Sequence, residues 1–299
     1  MEGPFSFNGY DNNCNGFLLF KFMKPNTGEK ATKEPFGQAL INLLKYSTVF
    51  LIILLSIYFL SNYFGLSEVA VGLIFTGLAV GFILFINKTK AAEVRPILKN
   101  GNLVLLYLSG IPIVWHLWLY GYWSTSIVQD IDGGKLTTAA LVASFNVIAG
   151  LIGYPLGGKI SDIVANKTNG RRNFLAIILI CLTVCIFVLA SYLLLGYKNL
   201  IVVSLILFTS GLFFFATQTV SHALTAELAP AENRGAAFGM WNLVSEIGAL
   251  LSPVVSGAIR DHTGSWTNAL ILDGILMGIS FILVAAIARP GYKLALRKK

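Results

Sequence analysis

His116, Glu246 and Asp273 are ionisable side chains standing inside otherwise apolar runs of this chain. A charge held at the centre of a bilayer costs roughly 2.5–3.5 kcal/mol on insertion scales, so such residues need a purpose. Glu246 lies ten residues into its run, about 15 Å deep at a helical rise of about 1.5 Å per residue. It is either an ion-coupling or substrate-contacting carboxylate, or a hydrogen-bonded structural glutamate between helices. Asp273 stands about 10 Å from the end of its run by the same rise, which is expected to put it within reach of water. Histidine changes charge most readily near neutrality, so His116, beside Trp115, is either such a switch or a satisfied packing residue. All three are candidates for coupling to a proton or a sodium ion.

Other residues could meet a solute. Tyr107, Trp115, Trp118 and Tyr122 fall close to one helical face, with Gly110 and Pro112 able to bend the helix between them. Rings with polar tips can line a ligand path, which singles out Trp115 and Trp118. Tyr122 and Trp123 suit an interfacial belt equally well. Gln218 and Asn242 are either hydrogen-bonders in a cavity or helix–helix contacts. Ser245, Gly248, Ser252 and Ser256 share a face adjoining that of Asn242 and Glu246, and small residues on a membrane helix point to close packing. Cys181 and Cys185, four apart in an apolar run, and Cys14 read as packing thiols. No metal site or cofactor is expected.

A further group lies between two apolar runs, in the stretch Gly153–Arg172, GYPLGGKISDIVANKTNGRR. Such a polar, cationic connector predicts a tight turn at a membrane surface, carrying Gly158, Asp162, Arg171 and Arg172. In a low-dielectric boundary Asp162 favours a cation or a helix N-terminus. Contacts of that kind that form in one access state and break in the other would gate; otherwise the loop merely fixes topology.

The elements that must position these residues follow from composition. Of 299 residues 56% are hydrophobic and 12% charged, with a mean hydropathy of +0.73. A soluble chain carries about 25% charged residues, so a soluble domain is excluded. Eight runs are long enough to cross a bilayer, at about 38–63, 69–86, 103–123, 136–156, 174–195, 200–221, 236–259 and 266–288. Residues 1–36 are polar apart from the short patch Phe17–Phe22, and two spans at 37–88 lead through a loop at 89–100 to six further spans. The net charge of +8 is spread over short loops rather than a nucleic-acid-binding patch, so no nucleic acid partner is expected. Eighteen cations fall on one side (Lys21, Lys24, Lys30, Lys33, Lys88, Lys90, Arg95, Lys99, Lys159, Lys167, Arg171, Arg172, Arg234, Arg289, Lys293, Arg297, Lys298 and Lys299). Three, Lys135, Lys198 and Arg260, fall on the other. The positive-inside rule therefore predicts a multi-pass cell-membrane protein with both termini cytoplasmic, Lys45 snorkelling at the end of the first span.

Gly158-Lys-Ile-Ser-Asp162 and Gly257-Ala-Ile-Arg-Asp261 both read G-x-I-x-D, each after a proline, Pro155 and Pro253. With one copy on each face, the pair is either a chance match or the trace of an inverted three-plus-three helical repeat.

The loop residues Gly158, Asp162, Arg171 and Arg172 resemble the loop signature G-x-x-x-D-x-x-x-x-R-R of the major facilitator superfamily. The run from Glu227 to Gly239, including Arg234 and Gly235, resembles that family's connector between its tenth and eleventh helices. The run from Trp241-Asn242 to Asp261-His-Thr-Gly264-Ser-Trp266 is closest to the anion–cation symporter branch. The resemblance covers about two-thirds of the chain, from about Asn102 onward. It implies an all-α membrane fold whose last six helices form a C-terminal half, and ion-coupled alternating access for a small organic anion. It also aligns the first two spans with family helices five and six. That predicts an N-terminally truncated transporter, with the missing half as a partner, or else an inactive fragment or non-transporting membrane partner protein. An enzyme is not expected: no G-x-x-x-x-G-K-[ST], H-E-x-x-H or G-x-S-x-G pattern is present.

Overall fold

A computed structural model describes residues 36–287 as helices joined by short turns. In chain order they are α1 (Phe36–Phe64), α2 (Glu68–Thr89), α3 (Ala91–Leu98), α4 (Gly101–Asp132), α5 (Leu136–Ile148) and α6 (Gly150–Ala165). They continue with α7 (Gly170–Leu194), α8 (Leu200–Leu228), α9 (Arg234–Thr263) and α10 (Thr267–Ala285), with a single 3₁₀ turn at Ala231–Asn233. Eight stretches are long and apolar enough to span a membrane, as expected, α5 and α6 together making one of them. The segment 1–35 and the tail cations from Arg289 onward, with Cys14 and the patch Phe17–Phe22, lie outside the described residues.

Local chemistry sets the ends. Asn199 precedes α8 and accepts hydrogen bonds from the amides of Ile201 and Val202, while Asn100 does the same for Asn102 before α4. These side chains satisfy amides that the helix itself leaves free. Gly133 and Gly264 close α4 and α9 with φ of 62° and 71°, where a side chain would be strained.

Two expectations change. The connector 153–172 is not a turn over most of its length: α6 continues to Ala165, so Gly158 and Asp162 are helical. Only residues 166–169 turn, ending at Asn169 with φ 58°, and Arg171 and Arg172 already belong to α7. Isoleucine and valine at 160, 163 and 164 keep the helix amphipathic past the glycines, which is why the polar residues did not break it. The loop at 89–100 holds a short helix of its own, α3.

The chain divides into two units at Leu60. The first, among its described residues, is the larger part of α1, whose apolar side chains such as Ile41, Leu51 and Phe59 stand exposed. The second holds everything from Ser61 on. Its core gathers Leu103, Leu106, Tyr107, Ile113, Leu179 and Phe214, with a further cluster around Leu119, Ile127 and Trp266. Large apolar side chains also cover its outside, Leu151 and Ile201 among them, as lipid contact requires.

Close approach replaces side-chain interlocking at two seams. A methyl group on Gly157 would lie 2.6 Å from the Cα of Ala216, so α6 and α8 touch backbone to backbone. A methyl group on Gly248 would run into the carbonyl of Ile111 and lie 2.8 Å from the amide of Trp115, so α9 presses onto α4. Ser252 donates to the Trp115 carbonyl at 2.7 Å across the same seam. The small face of Ser245, Gly248, Ser252 and Ser256 is buried, and its part is helix packing.

The loops of the second unit collect at two ends. At one, the Asn100 side chain donates to the Leu228 carbonyl, Arg171 reaches Glu227, and Arg172 donates to the Ile287 carbonyl. At the other, Asp130, Lys198, Arg260 and Gly264 surround a pocket of about 330 Å³. Among the described residues, Arg171 and Arg172 of the cation-rich set thus lie at one end, and Lys198 and Arg260 of the cation-poor set at the other.

Candidate solute and ion site

Position 116 faces inward on α4 because Ile113, Trp115, Leu119 and Tyr120 around it are all buried. Across the bundle, α10 turns Asp273 inward between Leu270, Gly274 and Met277, also buried. The two meet: Nδ1 of His116 lies 2.7 Å from Oδ2 of Asp273, with side-chain exposures of 1% and 0%. The aspartate expected near water is therefore enclosed by helices, because Ala269, Leu270 and Met277 pack its helix against the rest. The His116 ring also lies over Tyr120 and Phe214, with centroids at 4.4 and 5.1 Å.

This pair is only half satisfied. Nε2 of His116, Oδ1 of Asp273 and the Tyr120 hydroxyl are buried without a hydrogen-bond partner. Unpaired buried polar atoms are uncommon and call for a reason. A cavity of about 100 Å³, with room for several waters, adjoins the His116 and Tyr120 side chains between α4, α5 and α8. It is lined by His116, Tyr120, Ser124, Asn146 and Phe214. Asn146 is fixed there by donating to the Leu207 carbonyl at 3.1 Å.

Glu246 does not join the pair. It is exposed, as is Asn242, and both line a cleft of about 450 Å³ between α9 and the segment α2–α3, with Phe82, Ile86 and Lys90. Gln218 is buried on α8, one turn from His222, whose ring meets Trp241 edge to face at 4.6 Å. Trp115 is buried against α9 with its indole Nε1 unpartnered. Trp118 is half-buried and packs on the exposed Tyr122 at 5.6 Å. The solute candidates are therefore spread over several faces.

The loop residues form a compact charge cluster. Arg171 donates to Asp162 at 3.0 Å, to Glu227 at 3.1 Å and to the Ser161 hydroxyl at 3.2 Å. Arg172 points elsewhere and caps the end of α10 through Ile287. At the opposite end Arg260 bonds Asp130 at 3.2 Å and Asp261 at 3.4 Å. Each G-x-I-x-D aspartate thus pairs with an arginine that also holds a second acid. Among the described residues no group of three His, Cys, Asp or Glu could hold a metal ion.

Reading the sequence overlooked Tyr120, Asn146 and Glu227 as partners. Tyr120 was legible as the residue one helical turn beyond His116; the other two come from distant helices and carry no local signal.

Comparisons with known proteins agree with this architecture. A family model described as Major Facilitator Superfamily matches residues 118–298. The chain is 29% identical over 167 residues to a probable sulfoacetate transporter of Cupriavidus necator, covering 55% of this chain and 38% of that protein. It is 25% identical over 178 residues to a hexuronate transporter of Bacillus subtilis, covering 58% and 42%. A probable galactarate/D-glucarate transporter of Bacillus subtilis is 24% identical over 216 residues, covering 71% and 46%. The matches span less than half the length of these curated relatives. Its relatives are transporters rather than enzymes, and with the family model matching more than half of its residues, the chain belongs to the major facilitator superfamily.

Proposed function

We propose that the chain carries out secondary active transport of a small organic anion by ion-coupled alternating access, as one bundle of a two-bundle machine. The observation that carries this reading is the shared chemistry of the relatives: hexuronate, galactarate or glucarate, and sulfoacetate are all organic anions. The buried ionisable pair His116–Asp273 supports the ion coupling, since such residues within a membrane mark ion or substrate pathways. The cleft beside Asn242 and Glu246 is the proposed solute-facing wall, with Gln218, Trp115 and Trp118 as further contacts. The cluster Asp162–Arg171–Glu227 is the proposed gate, and the excess of cations in the sequence supports a cytoplasmic side for it and for both termini. The matched ion clusters at the two ends support an inverted repeat within the bundle. The second bundle needed for rocking comes from a longer form of the chain or from another copy.

Reconstitution into proteoliposomes tests the reading. Labelled glucarate, glucuronate and sulfoacetate are offered under an imposed proton or sodium gradient. Concentrative uptake of at least one, abolished when the gradient is dissipated, is the expected result. Absence of uptake and of exchange for every anion offered overturns it and leaves a non-transporting membrane protein.

A further inference from the structure

The pair His116–Asp273 has more structure than a generic ion-coupling residue needs, and its geometry separates proton from sodium. An ionised carboxylate only accepts hydrogen bonds, so with Asp273 ionised the Nδ1–H of His116 donates to Oδ2 across the 2.7 Å contact. That leaves Nε2, on the opposite edge of the ring, with a lone pair and no partner. His116 and Tyr120 both line the cavity between α4, α5 and α8, while Asp273 holds the ring through Nδ1.

The donor set does not suit a metal cation. Hard cations such as Ca²⁺ and Mg²⁺ gather about six or more oxygen ligands, and Na⁺ in transporters is coordinated by carbonyls of unwound helices. Here α4 and α10 run unbroken through both residues, and the pair offers one unpartnered carboxylate oxygen. The titratable group against the pair is Tyr120 from α4, which itself interacts with Asp273 and with Cys185 from α7. Phe214 from α8 and Asn146 from α5 carry no charge.

From this geometry we infer that His116 and Asp273 form a protonation site inside the bundle, with Nε2 of His116 as the atom that receives and releases the coupling proton. The inference rests on the reading of the chain as an ion-coupled transporter. In one state Nδ1–H donates to the aspartate, Nε2 is bare and the pair carries one net negative charge. Uptake of a proton at Nε2 gives an imidazolium–carboxylate pair with no net charge, and Nδ1 keeps its bond. A net charge in an apolar core favours whichever conformation admits more water. The charge state therefore biases the access equilibrium, and the access state biases proton affinity by the same factor. Tyr120, whose ring lies against the imidazole, is a positioning residue for it.

Nitrogen NMR of the full chain in nanodiscs, labelled at histidine, reads the site without any solute. The chain has three histidines, and the signal lost in His116→Gln assigns the ring. As pH is lowered, the His116 ring is expected to pass from the Nδ1–H tautomer to the doubly protonated form, and Asp273→Asn is expected to move that transition. A ring that keeps one protonation form over the whole range in which the protein stays folded overturns the proposal, as does a transition that Asp273→Asn leaves in place. In proteoliposomes, Asp273→Asn and His116→Gln are expected to lose accumulation driven by a pH gradient while keeping anion exchange in its absence. Accumulation driven by a sodium gradient alone, or pH-driven accumulation unaltered in both variants, overturns it too. If no anion moves in the unmodified protein, the transport reading fails while the NMR result still decides the protonation site.

Discussion

Removing Asp273 alone leaves His116 buried with neither ring nitrogen bonded. Breaking a buried pair from one side costs about 3–5 kcal/mol, whereas replacing both partners by apolar residues of similar volume is often close to neutral. Asp273→Leu is therefore expected to lower thermal stability in detergent strongly. The double variant His116→Leu, Asp273→Leu is expected to recover most of the loss. A coupling near zero in that cycle would mean the two side chains do not interact in the folded protein. Arg171 behaves differently: its partner Asp162 is 78% exposed, so that ion pair contributes about 0.2–1 kcal/mol and weakens with salt. The sequence marked His116 and Asp273 separately, because each interrupts an apolar run. Their 157-residue separation in the chain hid the contact, since helical periodicity says which face a residue is on and not which helix that face meets.

The helices were legible because each is a long apolar run closed by turn or capping residues, and the structure adds mainly a turn or two at their ends. What stayed hidden was the small helix α3 and the continuation of α6 through the motif region. Composition there is polar on one face only, and a span-length window averages the two faces together. Sterics also redistribute weight within the motif. Gly158 is the residue that matches the family pattern, yet a methyl there would meet only Thr219 at 3.5 Å, an ordinary contact. A methyl on its neighbour Gly157 would lie 2.6 Å from the Ala216 backbone. Gly157→Ala must therefore push α6 off α8 and is expected to cost about 1–3 kcal/mol, in the range of overpacking. Gly158→Ala is expected to be neutral or slightly stabilising through helix propensity. Thermal unfolding of the two variants side by side checks this, and equal losses would contradict the backbone contact.

For the molecule as a whole, the separation of its loops into a cation-rich and a cation-poor end makes orientation measurable. With the cysteines at 14, 181 and 185 replaced, Lys198→Cys is expected to react with a membrane-impermeant thiol reagent on intact cells, and Lys167→Cys only after the membrane is opened. The reverse pattern would invert the proposed topology. The same axis gives the buried histidine an electrical address. His116 lies fifteen residues from each end of the span Gly101–Ile131, at its midpoint. Moving one elementary charge across the full membrane potential is worth about 2.3 kcal/mol per 100 mV, so a proton arriving there from either surface crosses roughly half of that. Its occupancy then shifts by about sevenfold for each 100 mV. For the proposed protonation site, a voltage negative inside would favour loading from the outer surface and oppose it from the cytoplasmic one, and clamping the vesicle potential at fixed pH is expected to change uptake with that half-steep dependence.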